Sequence, residues 1–482
     1  MNRGKSVSLH SRYNPQGEAE RYINSLSFNG KIRFFILIEP GLGYIIAPLK
    51  KKVPDAKIIA LHAAEHNSAE HNSAEANGLK RPDSEWSPGT GISIQDFLER
   101  EIPDSEATEI RMLEWRPALA VYGGAYLSLV EETARFIKRA DANTRTLNAF
   151  GKRWFRNFFK NLGLIRNVIC PVPFSLPLLV TGAGPGLEEV IPAIREKSRR
   201  SSFFVLAVSS SAAALKAGGI VPDMVISTDG GPWAAFHLFE CYRGGSAACP
   251  LAVSMTAALP SQCGAAPVLP ISDGSFWQTL ILKELGIPFF VLPQRGTVSA
   301  AALDLAFALT ESEIFITGVD LANRDIQSHA RPYSFDRFLE ERACRLNPVY
   351  SQTYRRSSLL KAGGSYGIYA SWFEKQLAAY PKRLHSLGNN NPLFSQLESP
   401  LPPTGGRAGN ASANFRIFTL EPEGDISQKA LAILEKALGD PVLSKKLGEE
   451  LGSLLFPRGT SPSREKLIGA LHSAAGGGIQ GG

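Results

Sequence analysis

Five short segments of this chain carry residue types that can hold phosphate or move protons, and each directly follows an apolar run of strand length. Gly182-Ala183-Gly184-Pro185-Gly186-Leu187 follows Leu178–Thr181, and Ser209-Ser210-Ser211 follows Phe203–Val208. Asp229-Gly230-Gly231 follows Met224–Thr228, Ser272-Asp273-Gly274 follows Val268–Ile271, and Gly318-Val319-Asp320 follows Ile314–Thr317. Glycines remove Cβ atoms where a backbone must approach something closely, and a helix opening after them offers free N–H groups to an anion. Pro185 suits the start of such a helix. Thr297, after Gly296, suits the N-cap of a second one and adds another phosphate-facing terminus. Asp229 and Asp320 could hold a divalent cation against a diphosphate, accept hydrogen bonds from sugar hydroxyls, or cap the turns that follow them. His329 lies a short loop beyond the last of these strands and can swing over the same edge. A histidine titrates near neutrality, which suits a general base; it equally suits a structural imidazole. The loop at 182–187 lacks the Lys-Ser/Thr of a P-loop and the spacing of GxGxxG, which argues against both a Walker-type NTPase and a standard dehydrogenase.

What must position these residues is a sheet. From residue 178 onward apolar strand-length runs alternate with helical stretches at 186–197, 212–217, near Ala234, at 276–285 and at 297–309, with a further strand at 289–292. Such alternation implies right-handed βαβ crossovers, a largely parallel sheet and helices on both faces. In that architecture ligands lie beyond the carboxyl ends of the strands. The expected fold class is therefore α/β: a central Rossmann-like domain with a smaller α/β amino-terminal domain and a helical carboxy-terminal region.

The expected boundaries are 1–168, 169–395 and 396–482. In the first region Ile32–Ile38 and Ala56–Leu61 read as strands around the turn Gly41-Leu42-Gly43, too short a match for a dinucleotide fingerprint. Residues 63–91, with Ala64-Glu65-His66-Asn67-Ser68 duplicated at 69–73, read as a mobile surface insertion rather than a metal tract, despite His62, His66 and His71. Residues 92–164 read as mostly helical with a strand near 109–115. Lys152–Lys160 interleaves cations and aromatics; it suits a core-facing helix better than a nucleic-acid or membrane contact. Cys170–Leu176, marked by Pro171 and Pro173, reads as a hinge. A helix is expected near Tyr369–Leu384 and a linker over Asn389–Asn414.

A chain of 482 residues exceeds one hydrophobic core. Its net charge of +7 permits acidic or phosphate partners without specifying them. Five cysteines without a CxxC pair suggest buried reduced thiols. No signal-like or membrane-spanning apolar run is visible, so a cytoplasmic location is expected, with no nucleic-acid partner and no membrane span.

The segments LLVTGAGPGLEEVIPAI, AVSSSAAALKAGGIVPDMVISTDGG, IFITGVDLA and SHA together resemble the motility accessory factor (Maf)/MptE-like family, most clearly over 176–330. SLHSRYNP and EWRPALAVYGGAYL are similar to stretches of its longer bacterial members, which extends the likeness over most of 7–395. The resemblance implies two activities. Long members transfer a sialic-acid-like nonulosonic sugar from a CMP donor to Ser or Thr of flagellin; short ones are magnesium-dependent 6-hydroxymethylpterin diphosphokinases. Where the family usually has serine, this chain has Gly186, which removes one phosphate-directed hydroxyl. The preferred expectation is glycosyl transfer without a required cofactor. Gly182, Gly184, Pro185, Gly186, Ser209, Ser210, Asp273 and Thr297 would hold the donor, Asp229 and Asp320 would fix its sugars, and His329 would act as base with Asp229 also in the catalytic set. The alternatives are diphosphate transfer with magnesium on Asp229 and Asp320, and a non-catalytic factor in flagellar assembly.

Overall fold

The computed structural model describes residues 8–28, 32–65, 79–102, 109–196, 202–242, 249–362, 365–380, 382–388, 394, 415–420, 425–457, 460 and 462–476. The chain forms two compact units. One comprises Met1–Ala149 with Phe456–Thr460, the other Phe150–Leu455 with Ser461–Gly482.

The first unit holds a parallel sheet of β1 (Phe34–Ile38), β2 (Lys57–Leu61), β3 (Ser84–Trp86) and β4 (Ile110–Glu114), in the order β3-β2-β1-β4. Every residue of β1 is buried, as expected for a parallel strand covered on both faces. Part of the expected mobile insertion is regular structure, and its residues 66–78 lie outside the described residues. Residues 84–86 pair with β2, Trp86 is buried, and its indole N–H donates to the Ile92 carbonyl at 2.9 Å. One large side chain that buries its ring and satisfies its N–H outweighs the polar run around it. His62 is buried against Glu39 (3.4 Å), while His66 and His71 lie outside the described residues.

The second unit holds β5 (Asn167–Pro171), β6 (Leu178–Thr181), β7 (Phe204–Val208), β8 (Met224–Ser227), β9 (Leu251–Ser254), β10 (Pro267–Ser272), β11 (Phe290–Val291), β12 (Ile314–Thr317), β13 (Leu384–Ser386) and β14 (Phe415–Thr419). Their order is β13-β12-β6-β7-β8-β9-β10-β5-β14, with β11 on β10, and only the β14–β5 pairing is antiparallel. The chain lays down β5 first, crosses to β6, proceeds outward through β10 beside β5, then returns to the other side of β6 as β12. The topological switch therefore lies between β6 and β12. A core of Leu178, Val180, Phe204, Leu206, Ile226 and their neighbours packs under the apolar helix Val298–Leu309.

Several expectations shift. Cys170 is inside β5 rather than in a hinge, because β5 is hydrogen-bonded between β10 and β14. The expected 168/169 boundary accordingly falls within a strand, and the units divide at 149/150 within the helix Gly124–Leu164. The helix expected to reach Leu384 ends at Ala379, and Leu384 opens β13 beside β12. Proline cannot continue a helix, and Pro381 stands between the two. None of the five cysteines is in a disulfide; Cys263 is buried but Cys344 is exposed.

Lys152–Lys160 behaves as a core-facing helix. Phe155, Phe158 and Phe159 are buried, with Phe158 against Trp277 (4.8 Å), while Lys152, Arg153, Arg156 and Lys160 are exposed. The expected carboxy-terminal region belongs to the same unit. It adds β14 to the sheet and the helices Ile426–Gly439, Ser444–Leu455 and Arg464–Gly476. Glu450 accepts hydrogen bonds from the Phe276 and Trp277 N–H groups, both at 3.1 Å, at the start of helix Phe276–Glu284. A carboxylate at a helix N-terminus satisfies otherwise orphaned donors and complements the dipole.

Glu450→Ala should cost about 1–3 kcal/mol in urea unfolding, the cost of leaving buried donors unmet. Burial raises the Glu450 carboxyl above its ordinary range, despite the two N–H bonds and Lys446. The unfolded chain therefore releases this proton at lower pH than the folded one. The group's contribution is present below the unfolded value and declines as pH rises through the folded one. Glu450→Gln should remove that slope from the pH–stability curve; an unchanged slope would show that other groups set it.

Candidate functional site

The glycine loop after β6 is shaped first by the protein's own chain. The Gly182 N–H donates to the Thr317 carbonyl and the Gly184 N–H to the Gly318 carbonyl, each at 2.7 Å. Gly186 N–H donates to Asp320 Oδ2 at 3.0 Å, and Asp320 is buried. A Cβ at Gly182 would meet Gly318 O at 2.2 Å, one at Gly184 would meet Asp320 Oδ2 at 2.0 Å, and one at Gly186 would meet Gly388 O at 2.2 Å. The glycines thus admit the ends of β12 and β13, and the Asp320 carboxylate sits where the sequence suggested an anion. Pro185, which has no N–H, lies between the last two. Beyond β12 the chain holds Leu321 (φ 48°) and Asp325 (φ 53°) in the left-handed region, a strain on the order of 1–3 kcal/mol each of the kind that loops at sites retain.

Because the strands are parallel, the ends of β12, β6, β7 and β8 present Asp320, the glycine loop, Ser209–Ser210 and Asp229 in consecutive order along one edge. Ser211 bonds the carbonyls of Thr181 and Val208 and is structural; Ser209 is buried, and half-buried Ser210 is the more open of the two expected contacts. Asp229 is exposed, and its Oδ1 accepts from Gly231 N–H at 2.7 Å. Three inter-strand spacings separate β8 from β12, roughly 14 Å, so Asp229 and Asp320 do not share one magnesium ion. The paired-acid expectation is corrected on that geometry. Asp273 ends β10, four spacings or roughly 19 Å from β6, and binds Ser275 N–H (2.9 Å) and the Gln294 amide (3.2 Å). The structure does not bring it to the glycine loop. Thr297 stands at the N-cap of helix Val298–Leu309 in extended conformation, and its hydroxyl makes no capping bond.

His329 does reach the edge. Ala330 N–H donates to the Ala183 carbonyl at 2.8 Å, which docks the segment on the glycine loop. Ser328 Oγ meets His329 Nδ1 at 2.8 Å, and the Tyr333 ring stacks on the imidazole with centroids 4.1 Å apart. Gln327, Ser328, His329, Arg331 and Tyr333 line a cavity of about 140 Å³ with residues of helices Asp336–Glu341 and Val349–Ala362.

Three contributions were not legible in the sequence. Glu188 Oε1 accepts from the Gln327 side chain (2.6 Å) and from Arg331 N–H (2.7 Å), clamping both flanks of His329. Asn157 donates to the carbonyls of Gly230 and Thr256, and Asn161 to those of Met255 and Ala257, which ties the ends of β8 and β9 to the helix Gly124–Leu164. Gly230 is required because a Cβ there would lie 2.4 Å from the Trp154 ring. The only signal for Glu188 was an acidic residue in a first helical turn. By contrast Asp223, in the motif that carries the resemblance, lies at the opposite edge and accepts Val205 N–H at 2.7 Å.

This is a Rossmann-like α/β unit with a polar edge at its switch point. Residues 152–325 match the family model described as 6-hydroxymethylpterin diphosphokinase MptE-like. An uncharacterized protein of Treponema pallidum (strain Nichols) is 28% identical over 286 residues, covering 59% of this chain and 61% of that protein, so the match spans under two thirds of the relative. The solved structure of a MAf glycosyltransferase from Magnetospirillum magneticum AMB-1 superposes with a TM-score of 0.51 at 13% identity, over 98% of this chain and 79% of that one. The fold is thus shared with that structure, and both comparisons fall in the family that the sequence motifs resemble.

The close contacts make a sharp expectation for the glycines. Gly186→Ser, which restores the residue usual in the family, should not install a phosphate contact here; its Cβ would press on Gly388 O and on Asp320 Oδ1 (2.6 Å). Gly184→Val should likewise disturb the fold rather than selectively abolish ligand binding. Each should lower the thermal midpoint by several degrees, a cost of about 1–3 kcal/mol from overpacking. A serine variant as stable as the parent would show that the loop has room to spare.

Proposed function

We propose that this protein transfers a sugar from a nucleotide-linked donor to a hydroxyl of a protein acceptor. The finer reading is a nonulosonic sugar moved from CMP to Ser or Thr of flagellin. The observation that carries it is His329, held over the glycine loop from both sides and opening on a small cavity. In this reading Ser210 and Asp229 face the donor from adjacent strand ends, and Asp320 acts from below by fixing the loop. The acceptor oxygen attacks the anomeric carbon, the bond from that carbon to the nucleotide phosphate breaks, and the hydroxyl proton passes to His329. A serine or threonine hydroxyl is a poor nucleophile at neutral pH, so a base within hydrogen-bond reach matters most at this step. The likeness to a MAf glycosyltransferase structure supports the frame on which this chemistry is placed.

The family match over 152–325 favours diphosphate transfer as the second reading. In that case a magnesium ion would draw on Asp229 alone among the two expected acids, since Asp320 is committed to Gly186. Thermal shifts with CMP, GTP and ATP, each with and without magnesium, separate the readings, because a ligand raises apparent stability by RT ln(1 + [L]/Kd). The transferase reading expects CMP to stabilise most, without dependence on metal.

His329→Ala should reduce turnover about 10²–10⁴-fold, leave the CMP shift nearly unchanged, and remove the limb of the pH–rate profile near neutrality. Normal turnover with a weakened CMP shift would make His329 a donor contact instead. Activity and pH profile both untouched would withdraw the base assignment, and a parent protein without transfer activity would leave the assembly-factor reading.

A further inference from the structure

We infer that the exposed aromatic rim around the His329 cavity docks the acceptor. Its occupant is an extended segment of another protein that presents one Ser or Thr side chain to His329, flanked by apolar and acidic residues. The inference rests on the transferase reading.

The cavity is the first reason. At about 140 Å³ it is far smaller than the roughly 300–1,000 Å³ of pockets that enclose drug-sized ligands. It holds one small side chain, not a nucleotide sugar.

The surface at its mouth is the second reason. Trp233 (53% exposed), Phe236 (45%) and Phe239 (40%) recur every three residues along helix Ala235–Tyr242 and the turn before it, while Leu238 and Tyr242 bury the opposite face. Single exposed apolar residues are ordinary, but a contiguous exposed apolar surface marks an interaction site. The rings run without a break from the cavity to the surface. His329 stacks on Tyr333, Tyr333 lies 5.5 Å from Phe335, Phe335 lies 5.7 Å from Phe236, and Trp233 lies 5.4 Å from Phe338. Across the cavity, helix Val349–Ala362 lines it with Val349 and Thr353 and exposes the adjoining Tyr350 (63%) and Tyr354 (55%). Exposed Trp and Tyr with Arg among them are the residues that carry affinity between proteins.

Charge is the third. Arg337 is paired with Glu341, whereas Arg342 lies over the Phe338 ring at 4.4 Å and Arg331 and Arg345 are exposed. Asp336 and Glu340 line the cavity itself together with Arg331, whereas Arg342 and Arg345 stand outside it, so it is the flanks of a bound segment, not its central residue, that acidic side chains would suit and basic ones would not.

The test uses the full chain and an array of short peptides, each with one central Ser and flanks drawn from Phe, Leu, Asp, Lys or Gly, read by fluorescence anisotropy. The tightest peptides should combine apolar and acidic flanks. Trp233→Ala with Phe236→Ala should weaken them about tenfold or more, and Arg342→Glu should erase the preference for acid. Both variants change exposed side chains and should keep the melting temperature and the CMP-induced shift of the parent. Equal peptide binding by parent and double variant, a preference for basic flanks, or no peptide binding at all would overturn the inference. So would a double variant that loses the CMP shift but still binds peptide, since the rings would then serve the donor base. Peptide binding that depends on the rim, in a protein that no nucleotide stabilises, would uphold the docking surface while the transferase reading failed.

Discussion

The Asp320 carboxylate, buried against the Gly186 N–H, is the contact on which the arrangement of the edge depends. A buried charged or polar group must be hydrogen-bonded, and the start of a helix supplies donors with favourable dipole orientation. To bring the two together, the backbones after β6 and β12 approach until Gly182 and Gly318 nearly touch, which no residue with a Cβ permits. That junction lies at the switch point, where an open parallel sheet would otherwise leave a crevice. The crevice is closed at its base, and the open surface is displaced toward Ser210 and Asp229 on one side and His329 on the other.

The His329 segment follows from the same junction. It lies flat on the glycine loop through one backbone bond from Ala330 to Ala183, and Glu188 fastens it on both sides. Side chains held in this way lose little entropy on binding and keep the imidazole at one orientation. On the other flank, Asn157 and Asn161 bind four carbonyls just beyond β8 and β9, so the turn carrying Asp229 is braced by a helix. Loops carry the chemistry, and the elements beneath them supply the rigidity.

The carboxy-terminal helices brace the same carboxyl edge farther along the sheet, just beyond β10. Glu450 completes the first turn of helix Phe276–Glu284, and β14 covers β5, which would otherwise be the exposed edge of a long sheet.

Period and composition along the chain sufficed for the parallel sheet: β6, β12 and the helix Ala212–Ala217 begin and end where the apolar runs do. They also placed the polar residues at strand ends, because a strand's direction and its following turn are local properties. The buried phenylalanines and solvated cations of 152–160 were likewise readable from helical spacing. What lies between elements was not. Whether a glycine faces a phosphate or the backbone of a strand more than a hundred residues away is decided by strand order, and no local pattern encodes order. The separation of the strands that carry Asp229 and Asp320, three spacings or roughly 14 Å, follows from two strands inserted between theirs. Cys170 was misread as a hinge for the same reason, since prolines mark a break locally while β10 and β14 make it a strand. Glu188 acquired its place only when the 327–331 segment folded back on it. The sequence determined which residues stand at the edge; the tertiary structure decided which of them face outward, because that depends on what packs behind them.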